Sequence, residues 1–158
     1  MENVDCIDAS VILGTLFEKE ERCKTYINTV GYKLKNCGLL TIPLVGEIFT
    51  NMFLKIPQHI EEAERKVFLQ STIDFFDFTI MHLIQKNRLI IAKIKSGDYQ
   101  FVKRINELDY KISDDDLLHL SSAINNNCQR FVTIDKVLLE ENFRNNIKRE
   151  FGMMIIEP

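Results

Sequence analysis

Asp8, Glu47, Asp116 and Asp135 are the residues in this sequence whose type and placement point to chemistry. Asp8 closes the apolar-rich segment 4–8 (VDCID), and Glu47 follows the short apolar segment 39–42. Asp116 opens a helical stretch, and Asp135 closes segment 131–135 (FVTID). In an open α/β sheet the ligand crevice lies beyond the carboxyl ends of the strands. Carboxylates gathered there without cationic partners repel one another. Oxygen-rich clusters of that kind hold hard divalent cations such as Mg²⁺ or Mn²⁺.

Each acid also has an ordinary structural explanation. Asp8 can serve as the N-cap of a helix that begins near Ser10, and Ser10 can cap that helix itself or orient Asp8. Glu47 can be a solvated helical glutamate, although its neighbours Leu44, Val45, Ile48 and Phe49 are more apolar than a surface acid needs. Ser113 is a natural N-cap, and Asp114, Asp115 and Asp116 complement a helix dipole. Helix phase separates these three. Asp116, His119, Leu120 and Ala123 share one face at i, i+3, i+4 and i+7, and that face runs into apolar and small residues. Asp116 is therefore expected to point at the crevice, Asp115 to supply a supporting contact or a further ligand, and Asp114 to be solvated. Thr133 lies two residues before Asp135, which puts both side chains on one sheet face in a regular strand. Its hydroxyl is then available to a carboxylate or a substrate phosphate.

Other candidates carry less. Asp5 sits earlier in the first strand and is not counted as a ligand. His59, His82 and His119 are not spaced with Cys6, Cys23, Cys37 and Cys128 as a zinc set, and His119 is expected to be a core-facing polar residue rather than a ligand. The cysteines form no CxxC pair and are expected to be small, reduced core residues. No phosphate-binding glycine loop or nucleophile elbow occurs. Lys93, Lys95, Lys103, Arg104 and Lys111 form either a phosphate-tracking rim or a solvated face.

The elements that must position the acids follow from hydrophobic periodicity. Strands are expected at 4–8, 39–42, 89–94, 131–134 and 153–156. Helices are expected at about 11–17, from the charged segment 18–24 to about 35, from Pro43 onward, at 58–86, from the turn 96–98 to about 108, and at 114–126 and 136–148. Asn36-Cys37-Gly38 reads as a helix stop. The stretch 58–86 is apolar over more than one face, which calls for deep packing or a second subunit. Strands alternating with helices predict an α/β fold, a three-layer α/β/α arrangement with a mostly parallel central sheet of 4–5 strands. The 158 residues predict a single domain, residues 1–158, and 46% hydrophobic content is enough to fill its core. With 20 basic and 23 acidic side chains, the net charge of -3 does not advertise nucleic-acid binding, although a bound metal would change the local field. The acidic first residues do not start a secretory signal, and no uncharged apolar run approaches membrane-spanning length, so a cytoplasmic protein without a membrane segment is expected.

The segments CIDAS, IPLVGEIF, ISDDDLLHLSSAI and FVTIDKVL, in this order, resemble the PIN-domain nuclease family, and their spacing is similar to that of the small single-domain VapC-type toxin ribonucleases. The resemblance spans nearly the whole chain. It implies a metal-dependent endoribonuclease that hydrolyses phosphodiester bonds of single-stranded or structured RNA. It also implies that Asp8, Glu47, Asp116 and Asp135 ligate one or two Mg²⁺ or Mn²⁺ ions, with Ser10, Asp115 and Thr133 in support. The partners implied are an RNA substrate, an antitoxin protein and a second copy in a homodimer. Two rivals are a non-catalytic PIN-like module that docks RNA or protein, and an aspartate-based phosphotransferase. The second is weakened because Asp5 and Asp8 are three residues apart rather than adjacent or two apart.

Overall fold

The computed structural model describes residues 3–18, 20–32, 36–56, 59–109 and 111–158. Among these residues five strands form one sheet: β1 (Asn3–Ile7), β2 (Asn36–Thr41), β3 (Leu89–Ala92), β4 (Arg130–Val132) and β5 (Met154–Ile156). Their order is β3-β2-β1-β4-β5, and every pairing is parallel. Among the described residues seven helices flank the sheet: α1 (Ala9–Leu16), α2 (Glu21–Thr29), α3 (Ile42–Leu54), α4 (Glu62–Gln85), α5 (Val102–Asn106), α6 (Asp114–Asn125) and α7 (Glu141–Phe151). This is the α/β/α architecture with a parallel sheet that the alternation of apolar and helical segments predicts.

The three inner strands are apolar where they must be. Cys6, Ile7, Leu39, Leu40, Phe131 and Val132 are buried, as parallel strands covered on both faces require. The chain lays down β2 and β3 on one side of β1, then crosses to place β4 and β5 on the other. The sheet therefore has its topological switch point between β1 and β4, and the crevice of such a sheet opens at their carboxyl ends.

Several boundaries differ from the sequence expectation. Asn36, Cys37 and Gly38 belong to β2 and are not a helix stop. A Cβ at Gly38 would lie 2.9 Å from methyl carbons of both Ile7 and Leu89, so the glycine leaves room for its strand neighbours. The stop of α2 comes earlier, at Gly31, whose φ of +71° is left-handed. Arg88 covers that helix end by donating to the carbonyls of Ile27, Asn28 and Val30. The expected ends near residues 35 and 58 lie outside the described residues.

β4 ends at Val132, so Asp135 stands in the following loop rather than at a strand end, and α7 starts at Glu141 rather than near residue 136. α5 is confined to five residues. α4 is 24 residues long and, over part of its length, apolar enough to cross a membrane by length and composition alone. Its Phe76, Ile80 and Leu83 are instead packed into the core, and Phe76 meets Phe49 of α3 edge-on at 5.1 Å. Val67, Phe68, Phe75, Phe78 and Met81 stay exposed.

Candidate metal centre

The site is built at the carboxyl ends of the central strands, and hydroxyl groups fix its first acid. Asp8 follows β1 directly and occupies the N-cap position of α1, but its side chain makes no capping hydrogen bond. Its Oδ2 instead accepts from Ser10 Oγ at 2.5 Å and from Thr133 Oγ1 at 2.7 Å. The capping explanation of Asp8 therefore does not account for where its carboxylate points. Ser10 Oγ also accepts the Ile134 amide at 3.2 Å, which ties the start of α1 to the loop after β4.

That loop turns on Thr133. The fully buried hydroxyl of Thr133 accepts the Asp135 amide at 2.9 Å, and Asp135 Oδ1 accepts the Val137 amide at 2.7 Å. Sheet alternation is therefore not what aligns Thr133 and Asp135. A hydroxyl–backbone turn ties the two together after the strand has ended.

α6 delivers the third acid. Ser113 is its N-cap, accepting the Asp116 amide at 3.1 Å and donating to Asp116 Oδ2 at 2.6 Å. The phase expected from sequence holds: Leu120, Ala123 and His119 are buried, Asp116 is half-buried above them, and Asp114 and Asp115 are exposed. Pro43 sits in the first turn of α3, and Glu47 one turn further on is half-buried. Its Oε2 lies 3.4 Å from His119 Nδ1.

The charges of these acids act on one another. Burial pushes the Glu47 carboxyl up to about 7, and the charges of Asp8, Asp116, Asp115 and Asp135 push in the same direction. Burial also raises Asp116 above the usual carboxylate range, and Asp8, Asp135 and Asp115 add to the shift while the Ser113 hydrogen bond opposes it. Among the described residues no lysine or arginine forms an ion pair with Asp8, Glu47, Asp116 or Asp135. Of the basic residues proposed as a rim, Lys103 and Arg104 pair with Glu107 and Glu150, whereas Lys93, Lys95 and Lys111 are exposed.

His119 is the residue that sequence reasoning left out of the site. It is core-facing, as expected, with 3% of its surface exposed. It also stands against the acids: one ligand atom each from Asp8, Glu47 and His119 lie within 4.8 Å of one another. Burial lowers the imidazole's affinity for a proton, against the pull of Asp8 and Asp115. The signal was its place three residues after Asp116 on the same inward face. An uncompensated set of buried or half-buried carboxylates beside a histidine nitrogen is a donor set suited to a divalent cation.

Comparison with known proteins agrees at the level of the fold. No protein-family model matches the chain, and no curated protein matches it in sequence. Among solved structures, it is similar to VapBC2 from Rickettsia felis, bound to a DNA fragment from the promoter, with a TM-score of 0.61 at 16% identity over 98% of both chains. It is also similar to FitAcB from Neisseria gonorrhoeae, with a TM-score of 0.62 at 12% identity over 96% of both chains. The likeness to VapC-type, PIN-like proteins carried by the four sequence motifs is thus matched in the fold.

Proposed function

We propose that this chain is a metal-dependent endoribonuclease of the PIN type and the toxin of a toxin–antitoxin pair. The observation that carries the proposal is the meeting of ligand atoms of Asp8, Glu47 and His119 within 4.8 Å at the carboxyl ends of a parallel sheet, where the charges of Asp116 and Asp135 also act on Glu47 and, among the described residues, no lysine or arginine pairs with these acids. Asp8, Glu47, Asp116 and Asp135 would hold one or two Mg²⁺ or Mn²⁺ ions. When bound, such an ion supplies acidity to a water and neutralises charge on a phosphate.

The chain's own residues supply the rest. Ser10 and Thr133 hold the Asp8 carboxylate in one orientation through its Oδ2. Ser113 does the same for Asp116. Asp115 adds negative charge at the cleft mouth without itself being buried. The reaction is hydrolysis of an RNA phosphodiester: a water oxygen bonds to phosphorus, a P–O ester bond breaks, and the leaving oxygen takes up a proton. A carboxylate of the cluster accepts the proton that the water loses. Single-stranded RNA suits the cleft better than a duplex, because a flexible strand can bring its phosphate to recessed acids.

The partner reading draws on two supports. The likeness in fold to VapBC2, solved with promoter DNA, fits a chain that works with an antitoxin in the cytoplasm. The uncovered outer face of α4 fits a second protein surface, and a homodimer supplies one.

Incubation of the purified protein with end-labelled single-stranded RNA, in Mn²⁺, in Mg²⁺ or in chelator, tests the function. Cleavage is expected only with metal, and Asp8→Asn or Asp116→Asn should reduce it by about 100-fold or more. Cleavage that persists in chelator would refute the metal dependence. RNA binding without turnover under every metal condition would instead identify a non-catalytic PIN-like module.

A further inference from the structure

We propose that His119 contributes a nitrogen donor to the metal centre, so that the site takes a first-row transition ion such as Mn²⁺, Fe²⁺ or Co²⁺ in preference to Mg²⁺. The inference rests on the metal-dependent reading above and specifies which class of ion it uses.

Three observations carry it. His119 Nδ1 is one of three buried side-chain polar atoms with no hydrogen-bond partner among the described residues, beside Thr41 Oγ1 and Ser122 Oγ. An orphaned buried polar atom is costly, so its retention calls for an explanation. This nitrogen is also the one that lies 3.4 Å from Glu47 Oε2, close enough to share a ligand and not placed to donate a hydrogen bond to it. Finally, Asp8, Glu47 and His119 each present a ligand atom within 4.8 Å of the others, a span that one ion can bridge. The three come from the end of β1, from α3 and from α6, so the fold and not local sequence brings them together.

Ligand chemistry then sets the ion. Oxygen-only sites suit Mg²⁺, which demands near-ideal octahedral geometry and gives up water reluctantly. Imidazole shifts affinity toward later first-row metals, following their general order of complex stability. Among the described residues no other histidine joins the acids in a ligand group. His59 lies before α4, and His82 lies on α4, stacked on Phe78 at 6.3 Å.

The test reads the ligand directly, independent of cleavage. Mn²⁺-loaded protein is examined by electron spin-echo spectroscopy, with natural-abundance and with ¹⁵N-labelled histidine, and metal affinities are measured by calorimetry with Mn²⁺, Co²⁺ and Mg²⁺ separately. The expected result is a nitrogen coupling of a directly bound imidazole that changes with the isotope. It should vanish in His119→Gln and persist in His82→Gln. His119→Gln should weaken Mn²⁺ and Co²⁺ binding by about 10- to 100-fold and Mg²⁺ binding by less than about threefold. Mn²⁺ that binds in an Asp8-dependent way without nitrogen coupling would overturn the inference and leave the acidic metal site standing. A coupling that survives in His119→Gln would overturn it as well. Failure of the wild-type protein to bind any of the three ions would overturn both. The labelled wild-type spectrum keeps the test decisive even if the variant does not fold.

Discussion

Asp5 and Asp8 stand three residues apart at the same central strand, and both are almost completely removed from solvent, with 0% and 5% of their surface exposed. Their surroundings are opposite. Asp5 faces Arg130, its register partner on β4, whose Nε and guanidinium NH2 donate to its two oxygens at 2.7 and 2.5 Å. The Tyr26 hydroxyl donates to the same carboxylate at 2.8 Å, and burial beside that charge holds the phenol firmly protonated. Among the described residues Asp8 accepts from two neutral hydroxyls, and its carboxylate lies within 4.8 Å of the Glu47 carboxylate. A buried carboxylate with a bidentate arginine is complete within the chain. One with hydroxyls on a single oxygen and carboxylates around it has a charge that the chain leaves for something else to meet. The same residue type therefore serves the fold at one position and a site at the other.

The largest effect expected from this comparison is at Asp5. Asp5→Ala removes the carboxylate that accepts from both the Arg130 guanidinium and the Tyr26 hydroxyl in a buried setting, and the fold should lose about 3–5 kcal/mol. Asp8→Asn should move the other way in metal-free protein, raising stability by about 1–2 kcal/mol because one of several repelling charges is removed. Thermal melts in chelator compare the two directly. Repeating them with Mn²⁺ sharpens the contrast: the metal should raise the melting temperature of wild type and of folded Asp5 variants, but not of Asp8→Asn or Asp116→Asn. Equal destabilisation by Asp5→Ala and Asp8→Asn would erase the distinction between the two acids.

This distinction was half legible in the sequence. The parallel α/β fold could be read from apolar segments alternating with helical ones, and the inward phase of Asp116 from Leu120 and Ala123 following it at i+4 and i+7. Asp5 was set aside as a ligand for its earlier place in the strand. The partner that completes it is 125 residues away, and only sheet register brings Arg130 opposite. Gly38 read as a stop because glycine marks turns in sequence, whereas its role in β2 is to make room for Ile7 and Leu89. Asp135 read as a strand end because Phe-Val-Thr-Ile continues the apolar pattern past the last ladder pair at Val132. His119 was recognised as inward-facing, but inward-facing and acid-facing are the same direction on α6, and sequence cannot tell core from crevice.

Glu47 tests the comparison by pH. Its carboxyl is raised to about 7 from an ordinary 4.5, with burial the first cause. The folded protein thus holds this proton more tightly than the unfolded chain does. The stabilisation is fully present below about pH 4.5 and is lost as pH rises through about 7. With the side chain about a third exposed, solvent screening reduces the contribution to about 1 kcal/mol. Metal-free Glu47→Gln should therefore show a flatter stability profile between pH 4.5 and 7 than wild type. Mn²⁺ should oppose the decline, since ligation requires the ionised carboxylate and its affinity rises with pH. A Glu47→Gln profile in chelator that declines as steeply as wild type across this window would remove Glu47 from the repelling set.

The smallest effect on stability, and the last contrast between demands met and unmet within the chain, concerns α4. Phe76, Ile80 and Leu83 are satisfied by the core. At 100° per residue, Val67, Ser71, Phe75 and Phe78 fall on the opposite side of the helix, and Phe78 is 72% exposed. The exposed aromatic and aliphatic groups of this face amount to on the order of 500 Å² per copy, toward the roughly 800 Å² per partner of a standard interface. Two copies packed antiparallel about residues 74 and 75 would set Phe78 against the small Ser71 and bring Glu64 near Lys86 of the second copy. Asp74 flanks the centre of that pairing, where Gln70 already holds its carboxylate at 2.7 Å. Phe78→Ser should change the stability of the isolated chain by no more than about 0.5 kcal/mol, because the ring has little in the chain to lose. Sedimentation equilibrium should show the wild type as a dimer and the variant shifted toward monomer. A monomeric wild type would leave this face to an antitoxin, whereas a large loss of intrinsic stability in Phe78→Ser would show that the ring already had its partners.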